Sequence, residues 1–379
     1  MPYWRLASFY FFYFGSLGAL VPYWGLYLQD RGFSAQAIGQ LVAVLMGTKI
    51  VAPNLWGWLA DHLGTRMPIV RLASALSALS FLAIFTTDGF LEMALVMVLF
   101  SFFWNASLPQ MEAVTFSHLG ERVSRYASIR LWGSIGFILS VSLLGFALQR
   151  LGTGVVPLVV LTFYSGIWLS SLLIPEGPQR RSTQASPSIL WLIRHPEIQA
   201  FLASGLMMQL SHGAYYAFYS IYLNEAGYGS FGVGALWAWA VVVEVVVFLA
   251  MHRLLESYGA RPVLLVSFAL AVLRWLLIGG FVDQILVQIL AQALHAATFG
   301  AFHAAAIHLA YHYFPGRTQG RGQALYNSLS FGVGGALGAL ISGQLWETAG
   351  PTATFAVSAA TAAVGWLLAW RWVDRQGRY

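Results

Sequence analysis

Apolar residues in this chain come in runs of about 20, with neither the alternation of a strand nor the charged outer stripe of a soluble amphipathic helix. Hydropathy predicts twelve spans, at roughly 5–28, 36–58, 68–87, 91–115, 128–149, 154–174, 198–223, 231–252, 262–280, 284–312, 323–346 and 351–371. One long polar connector, PEGPQRRSTQASPSILWLIRHPE at 175–197, divides six runs from six. In hydrocarbon every backbone polar group needs an internal partner, so runs of this length are expected as helices and not as the shorter strands of a barrel. The expected fold is an all-α polytopic membrane protein, with twelve transmembrane helices in two six-helix bundles, 1–174 and 198–379, joined by a cytoplasmic linker at 175–197.

The short turns between the runs repeat. GWLADHLGTR at 57–66 has a fainter copy in HRLLESYGAR at 252–261, where Glu256, Gly259 and Arg261 stand 195 residues after Asp61, Gly64 and Arg66. The same offset links YLQDRGF at 27–33 to YLNEAGY at 222–228. Two motifs sharing one offset point to an internal duplication.

Composition narrows the class. Only 9% of the 379 residues are charged and 58% are hydrophobic, whereas a soluble domain carries roughly 25% charged residues. The solvent must be largely lipid. The first run is aromatic-rich and has no small-residue cleavage site before Pro22, so it is expected to stay in the mature protein. Cysteine is absent, which rules out disulfides and thiolate metal sites.

The net charge of +6 is a topology signal and not a nucleic-acid footprint. With Met1 in the cytoplasm, the cytoplasmic turns hold Arg66, Arg122, Arg125, Arg180, Arg181, Arg194, Arg253, Arg261, Arg317 and Arg321, and the termini add Arg5, Arg371, Arg375 and Arg378. The opposite loops have Arg31 and Arg150 against six acidic residues, Asp30, Asp88, Glu92, Glu225, Asp283 and Glu347. Both termini are therefore expected in the cytoplasm, in a bacterial inner membrane. Glycines at 133, 136 and 145, and at 332, 335 and 338, are expected to give flat faces for close helix packing.

GWLADHLGTR resembles the G-x-L-A-D-x-x-G-x-R signature of the major facilitator superfamily, and the six-plus-six arrangement agrees with it along essentially the whole chain. The resemblance implies a secondary transporter whose two bundles rock around a central cavity. Gly57, Asp61, Gly64 and Arg66, with Glu256 and Arg261 in the second copy, are then expected at a conformational gate, as contacts that break when the halves move or as the holders of a tight turn. LPQMEA at 108–113, ASIRLWGSIGF at 127–137, HGAYYAFYSIYL at 212–223, WAWAVVVEVVVF at 237–248, the run at 272–275 and ILAQALHAATFGAFHAA at 289–305 resemble the phenylpropionate permease branch. That branch is similar to the lactose permease and nucleoside:proton symporter families.

Lys49, Glu112, Arg130, Glu244 and Arg274 fall in spans or at their ends and should face a cavity or one another, because exposure to lipid costs several kcal/mol. Glu112 and Arg130 lie at similar depth and match lactose permease positions that take part in sugar binding. Substrate contacts are expected at Glu112, Arg130, His212, Tyr216, His295 and Thr298. Arg274 and His295 match lactose permease positions implicated in proton coupling, but Thr298 stands where that family has a carboxylate. Threonine does not titrate in this range. Glu244 is the expected replacement, alternating between a proton and Arg274, or else forming a permanent pair with it.

Proton-coupled uptake of a small organic solute is the function these features favour, with an aromatic carboxylate first and a sugar or nucleoside as the alternative. A transporter-like sensor ranks below both, and no nucleophile, base and orienter set argues for an enzyme. No cofactor, metal or nucleic acid is expected; the partners are the solute, protons and membrane lipid.

Overall fold

The computed structural model describes residues 1–122, 125–178 and 189–374. Arg180, Arg181, Arg375 and Arg378 of the charge pattern, and the Arg317 side chain, lie outside the described residues. Helices form along the apolar runs: α1 (Tyr3–Asp30), α2 (Ala35–Leu63), α3 (Met67–Phe81), α4 (Phe90–Leu119), α5 (Tyr126–Leu151) and α6 (Val156–Leu172). A short α7 (Leu190–Ile193) leads into α8 (Pro196–Ser211), α9 (Gly213–Glu225), α10 (Gly229–Tyr258), α11 (Ala260–Gly280), α12 (Ile285–Ala293), α13 (Phe302–Tyr313), α14 (Gln319–Asn327) and α15 (Gly335–Trp372). The protein is thus an all-α polytopic membrane protein, and ten helices among the described residues are long and apolar enough to span a bilayer.

The ten differ from the expected twelve in two places. The expected seventh run is broken at His212 into α8 and α9, 16 and 13 residues long. The break sits where Gly213 closes on α15, so closely that a Cβ there would lie 2.1 Å from the Gly338 carbonyl carbon. The last two expected runs fall within one helical stretch, Gln319–Trp372, interrupted at Gly350, whose φ of 80° is not helical. Two π-helical turns, Ala296–Ala301 between α12 and α13 and Ser328–Gly334 between α14 and α15, widen the helices locally. Such turns are rare and often mark functional positions.

The chain divides into two compact units. Unit 1 comprises Met1–Phe33, Thr48–Thr183 and Tyr228–Ala238; unit 2 comprises Ser34–Gly47, Gln184–Gly227 and Trp239–Tyr379. The first turns of α2 therefore belong with unit 2, and those of α10 with unit 1. Glycine contacts account for both assignments. A Cβ on Gly39 would lie 2.7 Å from Gly343 Cα, and one on Gly234 would lie 2.7 Å from Val141 O. Within unit 1, α1 and α5 approach in the same way, with a Cβ on Gly136 reaching 2.2 Å from Phe11 O.

The duplicated turns share their backbone. Gly32 and Gly227 have φ of 83° and 88°, and Gly64 and Gly259 have 69° and 77°, all in the region that L side chains disfavour. Gly259, at ψ 169°, sits where essentially only glycine is found. Gly259→Ala is expected to destabilise the protein by about 1–3 kcal/mol, read as a lower thermal unfolding midpoint, while Gly154→Ala, into open space at ordinary φ, leaves the midpoint unchanged.

The side chains of the two copies have diverged. Arg66 donates to Asp61 Oδ1 at 2.6 Å and to Gln110, and its backbone N–H and that of Met67 donate to Glu176 Oε2 at 3.1 and 2.9 Å. Arg261 instead donates to the carbonyls of Trp370 and Val373 at 2.8 and 2.9 Å, holding the end of α15. Glu256 pairs with His252 at 3.2 Å. In unit 1 the equivalent helix-end contact comes from Arg71, which donates to the carbonyls of Ser171 and Ile174. Glu256 and Arg261, both expected at the gate, thus have different partners from Asp61 and Arg66.

Candidate functional site

Each unit carries a polar cluster with charged groups among its helices. In unit 1, α1 presents Tyr10, Tyr13 and Phe14, which share a helix face through their spacing of three and four residues. Tyr10 Oη donates to Thr115 Oγ1 on α4 at 3.0 Å, and Tyr13 stacks on Trp104 with centroids 5.2 Å apart. Glu112, one turn beyond Pro109 on α4, accepts from Tyr126 Oη at 3.1 Å. Arg130 on α5 lies flat over Phe14, its Cζ 3.5 Å from the ring centroid. Gly133 makes that pose possible, since a Cβ there would lie 2.7 Å from both the guanidinium and the Phe14 ring.

Arg130 is within electrostatic reach of Glu112, Tyr10 and Tyr13. Among the described residues Arg31–Asp88 and Arg66–Asp61 are ion pairs, and His252–Glu256 and His295–Glu244 are close contacts; Glu112 and Arg130 share a cluster without closing on one another. The result is an aromatic wall with a carboxylate acceptor and a guanidinium donor set apart on it. Lys49 lies partly buried on α2.

In unit 2, Arg274 on α11 is fully buried. Its Nε donates to Ala291 O, one terminal nitrogen to Thr298 Oγ1 and the other to Gln292 Oε1, each at 3.0 Å. The rings of Tyr215 and Trp275 flank it, 4.2 and 4.6 Å from Cζ. Thr298, in the π turn, thus gives the guanidinium a neutral oxygen at the position that matches a carboxylate in the lactose permease pattern. Neutral acceptors and π faces stabilise the buried cation without a counter-charge among these contacts.

Glu244 on α10 meets His295 instead, with Oε2 3.3 Å from Nε2 and the two side chains 15% and 8% exposed. The expected partner was Arg274; in the structure Arg274 donates to α12 and to Thr298 of the π turn, while α10 lays Glu244 against His295 and Gly300. Gly300 in that turn leaves the space, since a Cβ there would lie 3.1 Å from Glu244 Cγ.

His212 is placed in the interior at the α8–α9 break, where it donates from Nδ1 to Met208 O at 2.8 Å and packs edge-on to Trp275. Tyr216 stacks on it, 5.8 Å between centroids. His295, Phe299 and His303 stack in sequence from just before the π turn, through it and into α13.

Sequence reasoning did not single out Tyr10, Tyr13, Phe14, Trp104, Tyr126, Tyr215, Gln110 or Glu176. The spacing of the α1 aromatics was the available signal; the contacts of Gln110 and Glu176 join residues 44 and 110 positions apart and left none.

Comparison with known proteins matches residues 3–357 to the family model described as MFS_1 like family. The chain is 30% identical over 364 residues to the probable 3-phenylpropionic acid transporter of Escherichia coli, covering 91% of each. It is 26% identical over 351 residues to the maltose permease of Geobacillus stearothermophilus, covering 89% of this chain and 86% of that one. A crystal structure of the nucleoside transporter NupG has the same fold, with a TM-score of 0.80 at 17% identity over 97% of this chain and 98% of that one.

Proposed function

Because the chain belongs to the MFS_1 like family, whose members are membrane carriers and not enzymes, we propose that it takes up a neutral, hydroxyl-rich ring compound, a nucleoside or a sugar, together with a proton. Secondary transport of a small organic solute follows from the family itself. The substrate class rests on the wall in unit 1, where Glu112 and Arg130 supply hydrogen-bond partners of both kinds beside the faces of Phe14, Tyr13 and Trp104. Hydroxyl groups use both kinds, whereas a solute carboxylate has no proton to donate to Glu112.

Arg274 does not add a second carboxylate site, because it is fully buried and donates to Ala291, Gln292 and Thr298. The aromatic carboxylate, first in the sequence reading, is accordingly the second reading. It is supported by the name of the 30% identical relative and by the cations Lys49 and Arg130. Proton binding is assigned to Glu244 with His295. The Asp61, Arg66 and Gln110 contacts, with Gly57 on α2 beside Gln110 and Gly64 in the turn after it, serve as the conformational latch. The proposal includes twelve spans in two bundles, both termini cytoplasmic, in a bacterial inner membrane.

The test is uptake into proteoliposomes with an imposed pH gradient, using labelled uridine, maltose and 3-phenylpropionate in parallel. Saturable uptake of uridine or maltose driven by the gradient is expected. Gradient-driven uptake of 3-phenylpropionate alone would transfer the assignment to the aromatic acid.

A further inference from the structure

Arg66 is held at both its side chain and its backbone. The guanidinium donates to Asp61 Oδ1 at 2.6 Å and to Gln110 Oε1, while the N–H groups of Arg66 and Met67 donate to Glu176 Oε2 at 3.1 and 2.9 Å. Glu176 comes from the start of the 175–197 connector, 110 residues further along the chain. The N-cap position of α3, Arg66 itself, makes no side-chain cap bond, and proline follows in the first turn; Pro68 has no N–H to satisfy. The Glu176 carboxylate therefore takes the two amides on which α3 begins, through charge-assisted hydrogen bonds.

The residues around Glu176 are docked one by one. Leu173 O accepts from Arg5 at 3.1 Å, Ile174 O from Arg71 at 2.8 Å and Pro175 O from His118 Nε2 at 3.1 Å. Ile174 is fully buried. Gly177 lies so close to the end of α4 that a Cβ there would sit 1.8 Å from Ser117 Oγ. Residues 173–177 thus form a strap within unit 1 that carries the Glu176 carboxylate to the signature turn.

We infer that Glu176 is a positioning residue of the conformational latch: it fixes the Arg66 backbone so that the guanidinium reaches Asp61 and Gln110 together. The connector thereby sets how firmly the latch closes. An arginine side chain has many rotamers to lose on ordering, and an anchored amide restricts them to those that reach both acceptors. The inference rests on reading the Asp61, Arg66 and Gln110 contacts as a latch, and it is independent of which solute is carried.

Met67 is 1% exposed at the first position of α3 and the chain has no cysteine, so Met67→Cys supplies a single buried thiol beside the strap. The rate at which a maleimide labels it in the purified full chain measures opening of the latch. Glu176→Gln and Asp61→Asn are each expected to speed labelling about fivefold, the order of one hydrogen bond. The double variant is expected to be no faster than either single one, because one contact works through the other. Gly177→Ala, which displaces the strap with its carboxylate intact, speeds labelling as well. Glu121→Gln, on an exposed carboxylate after α4, leaves the rate unchanged. In counterflow of labelled uridine or maltose, Glu176→Gln changes the maximal rate in the same direction as Asp61→Asn, at an unchanged half-saturating concentration. Effects that multiply in the double variant, to about 25-fold, would make Glu176 a cap of α3 independent of the latch and overturn the proposal. Labelling sped by Asp61→Asn but not by Glu176→Gln would overturn it too, with the latch left standing. Asp61→Asn without effect on labelling or counterflow would remove the latch reading, and the proposal with it.

Discussion

Glu244→Gln is expected to abolish uphill accumulation of substrate while leaving binding and exchange across the membrane intact. The Glu244 carboxylate lies 3.3 Å from His295 Nε2 and is 15% exposed, so it has a hydrogen-bond partner and is not sealed in the interior. Glutamine keeps the size and a hydrogen-bonding oxygen but has no proton to release. The amide still bonds His295, and the lost charge on one hydrogen bond costs about 1 kcal/mol of stability. Reconstituted vesicles with an imposed pH gradient measure accumulation, and counterflow without a gradient measures exchange. Proton-driven accumulation by well-folded Glu244→Gln would remove this residue as the coupling group; loss of exchange together with accumulation would make the Glu244–His295 contact structural.

Arg130→Lys is the second large effect, a loss of substrate affinity of about 10- to 100-fold, the order associated with hydrogen bonds to a charged group. The guanidinium lies flat on Phe14, 3.5 Å from the ring centroid, and so aims its planar donor edge away from the ring. An ammonium keeps the charge and loses both the stacking and the fork. Arg150 over Phe146, at 4.6 Å, is a similar stack on the exposed outer end of α5 and serves as the control. Arg150→Lys is expected to bind substrate normally. Normal affinity in well-folded Arg130→Lys, measured by binding to the purified protein, would remove the direct contact.

The helices, their approximate ends and the class of protein were legible without the structure. Length and hydropathy belong to each run alone, and lipid leaves a lone apolar run of about 20 residues few alternatives to a helix. The duplication was legible for a related reason: a turn at positive φ demands glycine locally, and Gly32 and Gly227, like Gly64 and Gly259, kept it. The candidate charges were found by the same rule, that an ionised group inside a span needs a partner.

The identity of each partner was not legible. Glu244 lies against His295, and Thr298 takes the Arg274 guanidinium bond where Glu244 was the expected partner. Such pairings depend on the rotation and depth of several helices at once, and no single run encodes them. Close glycine contacts and the π turns fix those rotations, as when Gly300 leaves space for Glu244 and Gly133 for Arg130. The sequence by itself determined which segments enter the membrane and which residues need compensation there, because burial in lipid is a property of a segment. The tertiary structure alone decided which group compensates which, because that is a property of distances between segments.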